Sequence, residues 1–285
     1  MLRTRLWMGS ILIGLAVLLL LEDRWFTPWF PIFFVAFTAA SFLAIRELIS
    51  LIPSNQRPDR CLTIGVGLGM VAVNWLPHVP VGVSGSVWPL LAGVLASGIL
   101  LAFLLEMWRY DGPGNITQRL ALTVFAWVYL GLLPSCLAQL RWLPNGWATA
   151  ALALAVFVPK GNDIGAYFTG KFLAGRVLGR KLMTPKLSPK KTWQGFAGGM
   201  LTSVAVVYGI DACLPVFANH LQRVAFALTV GLAGVLGDLA ESLIKRDLQT
   251  KDASQSVPGF GGVLDVIDSL LFAAPVVWLW FCFLA

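Results

Sequence analysis

The sequence has little charge and almost no histidine, and both scarcities exclude whole classes of protein. Only 12% of its 285 residues are charged, whereas 58% are hydrophobic; an ordinary soluble domain is roughly a quarter charged. The chain therefore has no room for a large soluble domain, and we expect an all-α, polytopic membrane protein. Two histidines (His78 and His220) and four widely spaced cysteines form no CxxC or Cys/His cluster, so a zinc site is not expected.

The charge that is present is mostly basic, with a formal net charge of +7. In a membrane protein such an excess is explained by anionic lipid head groups, by nucleotides and by the enrichment of Lys and Arg on the cytoplasmic side. It therefore gives no reason to expect a nucleic-acid partner.

Nine apolar runs are long enough, or nearly so, to cross about 30 Å of hydrocarbon as helices. They lie at 2–21, 25–45, 61–80, 87–107, 120–140, 143–159, 194–213, 223–240 and 264–284. The first run follows Arg3 and Arg5 as in a signal peptide, but no small-residue cleavage site precedes the charged residues at 22–24. We interpret it as an uncleaved first span.

The distribution of basic residues predicts the orientation of these spans. With nine spans and a cytoplasmic N-terminus, 18 of the 21 lysines and arginines lie inside, and only Arg24, Arg141 and Arg223 lie outside. The two most polar loops, 160–193 and 241–263, then both face the cytoplasm. We expect residues 1–158 to form a membrane scaffold and residues 159–285 to carry the chemistry, in the inner or plasma membrane of the cell.

Acidic residues gather at the predicted cytoplasmic ends of the last two spans. Asp238, Glu241 and Lys245 share one helix face, and Asp265 and Asp268 share another. Such carboxylates could hold one or two hard cations, and Mg²⁺ suits them because it binds a few carboxylates together with water and phosphate oxygens. The alternative is a set of helix-end charges neutralised by Lys245 and Arg246, with no metal.

Three further segments have both a functional and a structural interpretation. The glycine-rich run 258–262 could bring backbone N–H groups to a phosphate or be an ordinary turn. The basic run 185–195 could bind phosphates or simply be positive charge beside a span. Asp163 could join the metal site or pair with Lys171 in a loop. Residues 165–172 only approximate a P-loop, because Phe172 replaces the required Ser or Thr, and we reject that match.

Taken together, these segments resemble the phosphatidate cytidylyltransferase family, the CDP-diacylglycerol synthases. The family's C-terminal signature, S-x-x-K-R-x4-K-D-x5-P-x-H-G-G-x-x-D-R-x-D, is matched at the same spacing between residues 242 and 268. The matching residues are Ser242, Lys245, Arg246, Lys251, Asp252, Pro258, Gly261, Gly262, Asp265 and Asp268. The run PKLSPKKTWQG at 185–195 matches a second family motif, so the resemblance covers about residues 160–270.

The chain departs from the family pattern at several positions. Phe260 stands in place of the family's histidine, Val266 in place of an arginine, and Ile164 in place of a serine. Lys160-Gly161-Asn162 stands where the family usually has small or apolar residues.

The resemblance implies that CTP and phosphatidate give CDP-diacylglycerol and pyrophosphate, with Mg²⁺ as cofactor. It assigns Asp238 and Asp265 to the metal, with Glu241, Asp268 and Asp163 as further candidate ligands. Lys245, Arg246 and Lys251 would hold the triphosphate, and Ser188, Lys191 and Thr192 the lipid phosphate or the nucleotide. Ser242, Asp252, Gly261 and Gly262 complete the expected substrate-binding set.

Three other functions remain open at this point. The chain could be a related CTP-dependent lipid enzyme, a catalytically weak or inactive relative, or a transporter of an anionic solute. The concentration of charge at one membrane face argues against the transporter, which would favour charged or broken helices near the middle of the membrane. The partners expected are CTP, phosphatidate and membrane lipid, and a homodimer is left open.

Overall fold

The computed structural model describes residues 2–21, 23–79, 85–173, 179, 181–250, 253–259 and 261–284. The chain is largely helical, and the strands in these ranges form one short hairpin. The helices are α1 (Leu2–Leu21), α2 (Pro31–Leu51), α3 (Arg60–Ala72), α4 (Val87–Trp108), α5 (Ile116–Trp127), α6 (Leu133–Gln139), α7 (Ala148–Phe172), α8 (Trp193–Cys213), α9 (His220–Asp247) and α10 (Val263–Leu284). The hairpin strands are β1 (Leu182–Thr184) and β2 (Ser188–Thr192). The expected all-α membrane architecture is therefore confirmed.

The chain divides into two compact units. The first comprises Met1–Ala138 together with Asp252–Val266, and the second comprises Gln139–Lys251 together with Ile267–Ala285. Because the segment before α10 returns to the first unit, neither unit is continuous in sequence. The expected division into a scaffold (1–158) and a catalytic region (159–285) describes function, which these compact units do not test. It stays a prediction.

The first unit is built around α2, α3, α4 and α5. Met70, Leu91 and Trp127 are almost fully buried in its core. The indole N–H of Trp127 donates to the main-chain oxygen of Thr63 at 3.0 Å, so this large side chain is buried with its one donor satisfied. Helix α5 continues through a wider π-helical turn, Val128–Leu132, into α6.

The second span begins later than its hydropathy predicts. Trp25 and Phe26 lie in a short 3-10 turn, Asp23–Phe26, and α2 starts only at Pro31, a residue suited to the first helical position. The expected limits of 25–45 are therefore wrong by about one and a half turns. The shift places Glu47 inside the helix, where it is buried.

The second unit is held together by close contact between α7 and α8. A β-carbon built at Gly198 of α8 would lie 2.2 Å from the side chain of Thr169, and one at Gly165 of α7 would overlap Thr202. Larger residues at these positions would separate the two helices. The remainder of this unit is formed by the hairpin, α9 and most of α10.

Seven helices in the described ranges are long and apolar enough to cross a membrane. They are Pro31–Leu51, Arg60–His78, Val87–Trp108, Ile116–Trp142, Trp193–Cys213, His220–Asp247 and Val263–Leu284. The predicted first span corresponds to α1, whose apolar part, Trp7–Leu21, is shorter. The predicted sixth corresponds to α7, which has a polar stretch in its C-terminal half.

Both segments expected as cytoplasmic loops contain regular structure. The sixth span was expected to end at Pro159. Helix α7 instead continues to Phe172, so residues 160–172 are helical and do not form a loop. Proline is tolerated inside membrane helices because neighbouring groups satisfy the freed backbone carbonyl. Similarly, residues 241–247 are the last turns of α9, and 182–192 form the hairpin.

Candidate active site

Three of the predicted acidic residues meet in the second unit. Asp238 and Glu241 lie on one face of α9, and Asp268 lies on α10. One carboxylate oxygen from each falls within 4.8 Å of the other two. Glu241 and Asp268 are buried, whereas Asp238 is partly accessible. We call these three residues the acidic cluster.

Helices α9 and α10 approach closely enough for the acidic cluster to form because Gly237 of α9 has no side chain. A β-carbon at Gly237 would lie 2.5 Å from the main-chain oxygen of Asp268. Contact with a main-chain atom cannot be relieved by rotation of a side chain. The glycine before Asp238 therefore sets the spacing between α9 and the turn of α10 that carries Asp268.

Each member of the acidic cluster is paired with a lysine. The Lys191 ammonium, from β2, lies 2.7 Å from Asp238. Lys245, one turn further along α9, pairs with Glu241. Lys160, on α7, lies 3.6 Å from Asp268 and 3.7 Å from Asp163. Burying carboxylates is costly unless their charge is offset, and three elements supply the offsetting charges.

The donor set of the acidic cluster fits a hard cation. Mg²⁺ prefers oxygen ligands and uses one or two carboxylates together with water and phosphate oxygens. The cluster offers three carboxylates, of which the partly accessible Asp238 also lines a cavity. Asp238, Glu241 and Asp268 are thus the residues that would hold Mg²⁺ in this unit.

The cavity beside Asp238 has a volume of about 280 Å³ and a mixed lining. Its lysines, its serine and its threonine come from the hairpin, where the sequence predicted phosphate contacts. These residues are Ser188, Lys190, Lys191 and Thr192. The opposite wall comes from α7 and includes Asp163 and Tyr167. A carboxylate cluster and an adjoining basic wall are the two features that a metal-bound polyphosphate requires.

Several predicted binding residues have structural roles in this arrangement. The Thr192 hydroxyl caps α8 by accepting from the Gly195 N–H at 3.1 Å. Arg246 is exposed and donates to the main-chain oxygens of Leu187 and Thr250, which ties the end of α9 to the hairpin. Ser242 is half-buried on α9. Lys251 and Asp252, as well as Phe260, lie outside the described residues.

Asp163 is not paired with Lys171, the alternative that the sequence left open. It lies on the same helix as Lys160 and contacts that residue, whereas the Lys171 ammonium lies over the rings of Tyr167 and Phe172. Asp163 therefore faces the same ammonium as Asp268. Its predicted role as a metal ligand remains a prediction.

Asp265 belongs to the first unit, and its described contacts are with the segment that precedes α10. Its Oδ2 atom accepts hydrogen bonds from the N–H groups of Ala253 at 3.0 Å and Gly262 at 2.6 Å. Gly261 has a φ of +108°, which favours glycine, and it exchanges two backbone hydrogen bonds with Val257. The backbone N–H groups of Gly261 and Gly262 are thus used within this loop, and their binding to phosphate stays a prediction.

Glu47 supports the same loop from α2. Its Oε1 atom accepts from the Ser254 hydroxyl at 2.6 Å and the Val263 N–H at 3.0 Å. Its Oε2 atom accepts from the Leu264 N–H at 2.8 Å. The buried carboxylate thereby caps the N-terminus of α10, where unsatisfied N–H groups favour negative charge.

The sequence alone indicates neither the contacts of Glu47 nor a role for Lys160. An acid at the end of an apolar run was the available signal for Glu47, but the expected second span ended at residue 45. In the sequence, Lys160 stands out only as a departure from the family pattern. Its position could not be inferred while α7 was expected to end at Pro159.

Comparison with known proteins identifies the family. The sequence matches the profile of the cytidylyltransferase family over residues 3–284, and the chain belongs to that family. It is therefore an integral membrane protein of a family of cytidylyl-transferring enzymes.

The chain is also similar to individual proteins of this kind. A phosphatidate cytidylyltransferase of Mycobacterium bovis is 30% identical over 95% of this chain and 87% of its own length. One from Bacillus subtilis is 36% identical over 59% of this chain and 58% of its own. The protein named "Uncharacterized protein YnbB" of Escherichia coli is 32% identical over 96% of this chain and 85% of its own length.

Proposed function

We propose that this protein transfers CMP from CTP to phosphatidate, giving CDP-diacylglycerol and pyrophosphate at the membrane surface. The observation that carries the proposal is the acidic cluster beside a cavity with a basic wall. Family membership and the phosphatidate cytidylyltransferase relatives support the choice of nucleotide and lipid.

In the proposed reaction, an oxygen of the lipid phosphate attacks the α-phosphorus of CTP. A new P–O bond forms, the bond between the α-phosphorus and the bridging oxygen of the β-phosphate breaks, and pyrophosphate leaves with the bonding electrons. Both reactants are anions, so positioning and charge neutralisation matter more than a strong base. When bound, Mg²⁺ would supply neutralisation of the triphosphate and of the departing pyrophosphate.

The residues of the second unit have distinct tasks in this scheme. Asp238, Glu241 and Asp268 provide the oxygen ligands for the cation. Lys190 and Lys191 face the cavity from the hairpin and bind phosphate oxygens there. Lys191 is well suited to respond to substrate, because it already pairs with Asp238 and can contact a phosphate at the same place. The metal-binding role that the resemblance gives Asp265 stays a prediction, and the cation proposed here uses the three residues of the acidic cluster.

We also propose nine spans, a cytoplasmic N-terminus and a site that faces the cytoplasm. The support is the distribution of 18 basic residues against 3, and the supply of CTP from the cytosol requires the same orientation. The seven long apolar helices, with α1 and α7 added, make nine.

The test uses purified protein in detergent with phosphatidate, Mg²⁺ and CTP labelled at the α- or the γ-phosphorus. Cytidylyl transfer places the α-label in the lipid and releases the γ-label as pyrophosphate. Appearance of the γ-label in a lipid would instead identify a kinase that uses CTP. Absence of both labels from the lipid, with folded protein, would indicate an inactive relative and contradict the proposal.

A further inference from the structure

Lys160 is a positive charge placed against the acidic cluster from a third helix. Its ammonium donates to the buried Ser269 hydroxyl at 2.8 Å and lies 3.6 Å from Asp268 and 3.7 Å from Asp163. An ammonium in contact with one hydroxyl oxygen and two carboxylates has the surroundings of a bound cation. These contacts all lie within the second unit.

The charges around the acidic cluster are already close to balance. As a formal count with every group ionised, Asp163 and the three residues of the cluster carry four negative charges, and Lys160, Lys191 and Lys245 carry three positive ones. One divalent ion changes the sum from −1 to +1, which an incoming polyphosphate compensates. A second divalent ion would add two further charges within a few ångströms of three ammonium groups, where like charges repel strongly.

We infer that Lys160 is a built-in replacement for a second cation, so that this protein binds a single divalent ion at Asp238 and Glu241 while Lys160 neutralises Asp163 and Asp268. The inference deepens the proposed function and rests on it for the identification of the acidic cluster as a cation site.

In this arrangement Asp163 and Asp268 hold the lysine rather than a second metal. Asp268 can still be a ligand of the single ion, because one of its carboxylate oxygens lies within 4.8 Å of those of Asp238 and Glu241. Lys160 thus positions the carboxylates of Asp163 and Asp268 and neutralises their charge. It needs no contact with the reacting atoms.

The test is a count of bound ions with Mn²⁺ as the probe. Chelator-treated protein in detergent is titrated with Mn²⁺, and free Mn²⁺ is measured by electron paramagnetic resonance. The wild-type protein should bind one ion. Lys160→Met should bind a second ion, or bind the first at least about tenfold more tightly, because a nearby positive charge is lost.

Two variants serve as controls. Lys160→Arg keeps the charge and should bind one ion with the wild-type affinity. Lys171→Met makes the same substitution on the same helix, at a lysine that faces aromatic rings, and should also match the wild type.

Several results would overturn the inference. They are two ions or none on the wild-type protein, wild-type behaviour of Lys160→Met, and weaker Mn²⁺ binding by that variant. If Lys160→Met fails to fold, Asp163→Asn decides: it should still bind one ion, and loss of that ion would make Asp163 a metal ligand. Because the count requires no turnover, a wild-type protein that binds one ion but labels no lipid would contradict the proposed function and leave this inference standing.

Discussion

Replacing Glu47 by glutamine should loosen the start of α10 without changing the size of the side chain. The buried carboxylate accepts three hydrogen bonds, two of them from the first N–H groups of the helix. An amide has only one accepting oxygen. In Glu47→Gln, a new N–H₂ group must therefore face either the Leu264 N–H or the pair of donors from Ser254 and Val263.

The magnitude follows from the contacts that are lost. Hydrogen bonds to a charged group contribute about 1.5–3 kcal/mol each, and a buried donor left without a partner costs about 1–3 kcal/mol. Loss of negative charge near a helix N-terminus adds about 0.3–1 kcal/mol. Allowing for local relaxation, we expect about 2–3 kcal/mol, which corresponds to roughly 30- to 150-fold easier opening of the first turn.

Hydrogen exchange detected by mass spectrometry can measure this opening. A peptide that covers the first turn of α10 should exchange faster by that factor in Glu47→Gln, while peptides from α4 and α8 should not change. Glu106→Gln is the matched control, since Glu106 is an acid of the same unit that binds Arg119 instead of the loop. Equal exchange in Glu47→Gln and the wild type would refute the assignment of Glu47 as the cap of α10.

Three further predictions concern the site and its orientation. Asp238→Asn should lower incorporation of α-labelled CTP into lipid by about 100-fold or more, because transition-state charge stabilisation worth several kcal/mol is lost; near-normal turnover would remove Asp238 from the site. Gly237→Ala should reduce thermal stability and turnover together, at a cost of about 1–3 kcal/mol for forced repacking, whereas Gly209→Ala, with open space around its β-carbon, should be neutral. Cysteines at Ser188 and Ser254 in a cysteine-free background should resist an impermeant thiol reagent in intact cells, and labelling of both from outside would invert the proposed topology.

The sequence predicts the part of the acidic cluster that lies on α9, because the geometry of that part is local. Asp238 and Glu241 are three residues apart on one helix, so any regular helix places them on one face. Lys245 follows one turn later and pairs with Glu241 as the spacing requires. The approach of Asp268 depends on a tertiary contact that local spacing does not give. The resemblance named Asp238 and Asp265 as the metal ligands and Asp268 only as a further candidate.

Contacts between distant segments could not be predicted in the same way. Glu47 lies more than 200 residues before the loop that it supports, and hydropathy gave no information about a hydrogen bond across that distance. Lys160 was misplaced for a different reason: Pro159 is a strong stop signal in a soluble helix, but α7 continues through it. The polar residues themselves were visible in the sequence. The predicted ends of α2 and α7 were wrong, and these errors hid the positions of Glu47 and Lys160.

The departures from the family pattern on α7 amount to a rearrangement of polar groups rather than a loss. Ile164, which replaces the family's serine, is 51% exposed, so the missing hydroxyl leaves no polar gap in a buried core. Two new polar side chains appear on the same helix. Lys160 contacts the acidic cluster, and the buried Asn162 donates to Ser203 at 3.0 Å.

A catalytically dead relative would be free to lose such charges, because burying them is costly without a compensating role. Here a new lysine is matched by two carboxylates and a buried hydroxyl, which favours an active enzyme with a modified cation site over an inactive one. If the protein is active with Ile164 in place, Ile164→Ser should change turnover less than Lys160→Met does. If turnover appears only after Ile164→Ser, the serine hydroxyl is required for catalysis and Lys160 does not replace its function.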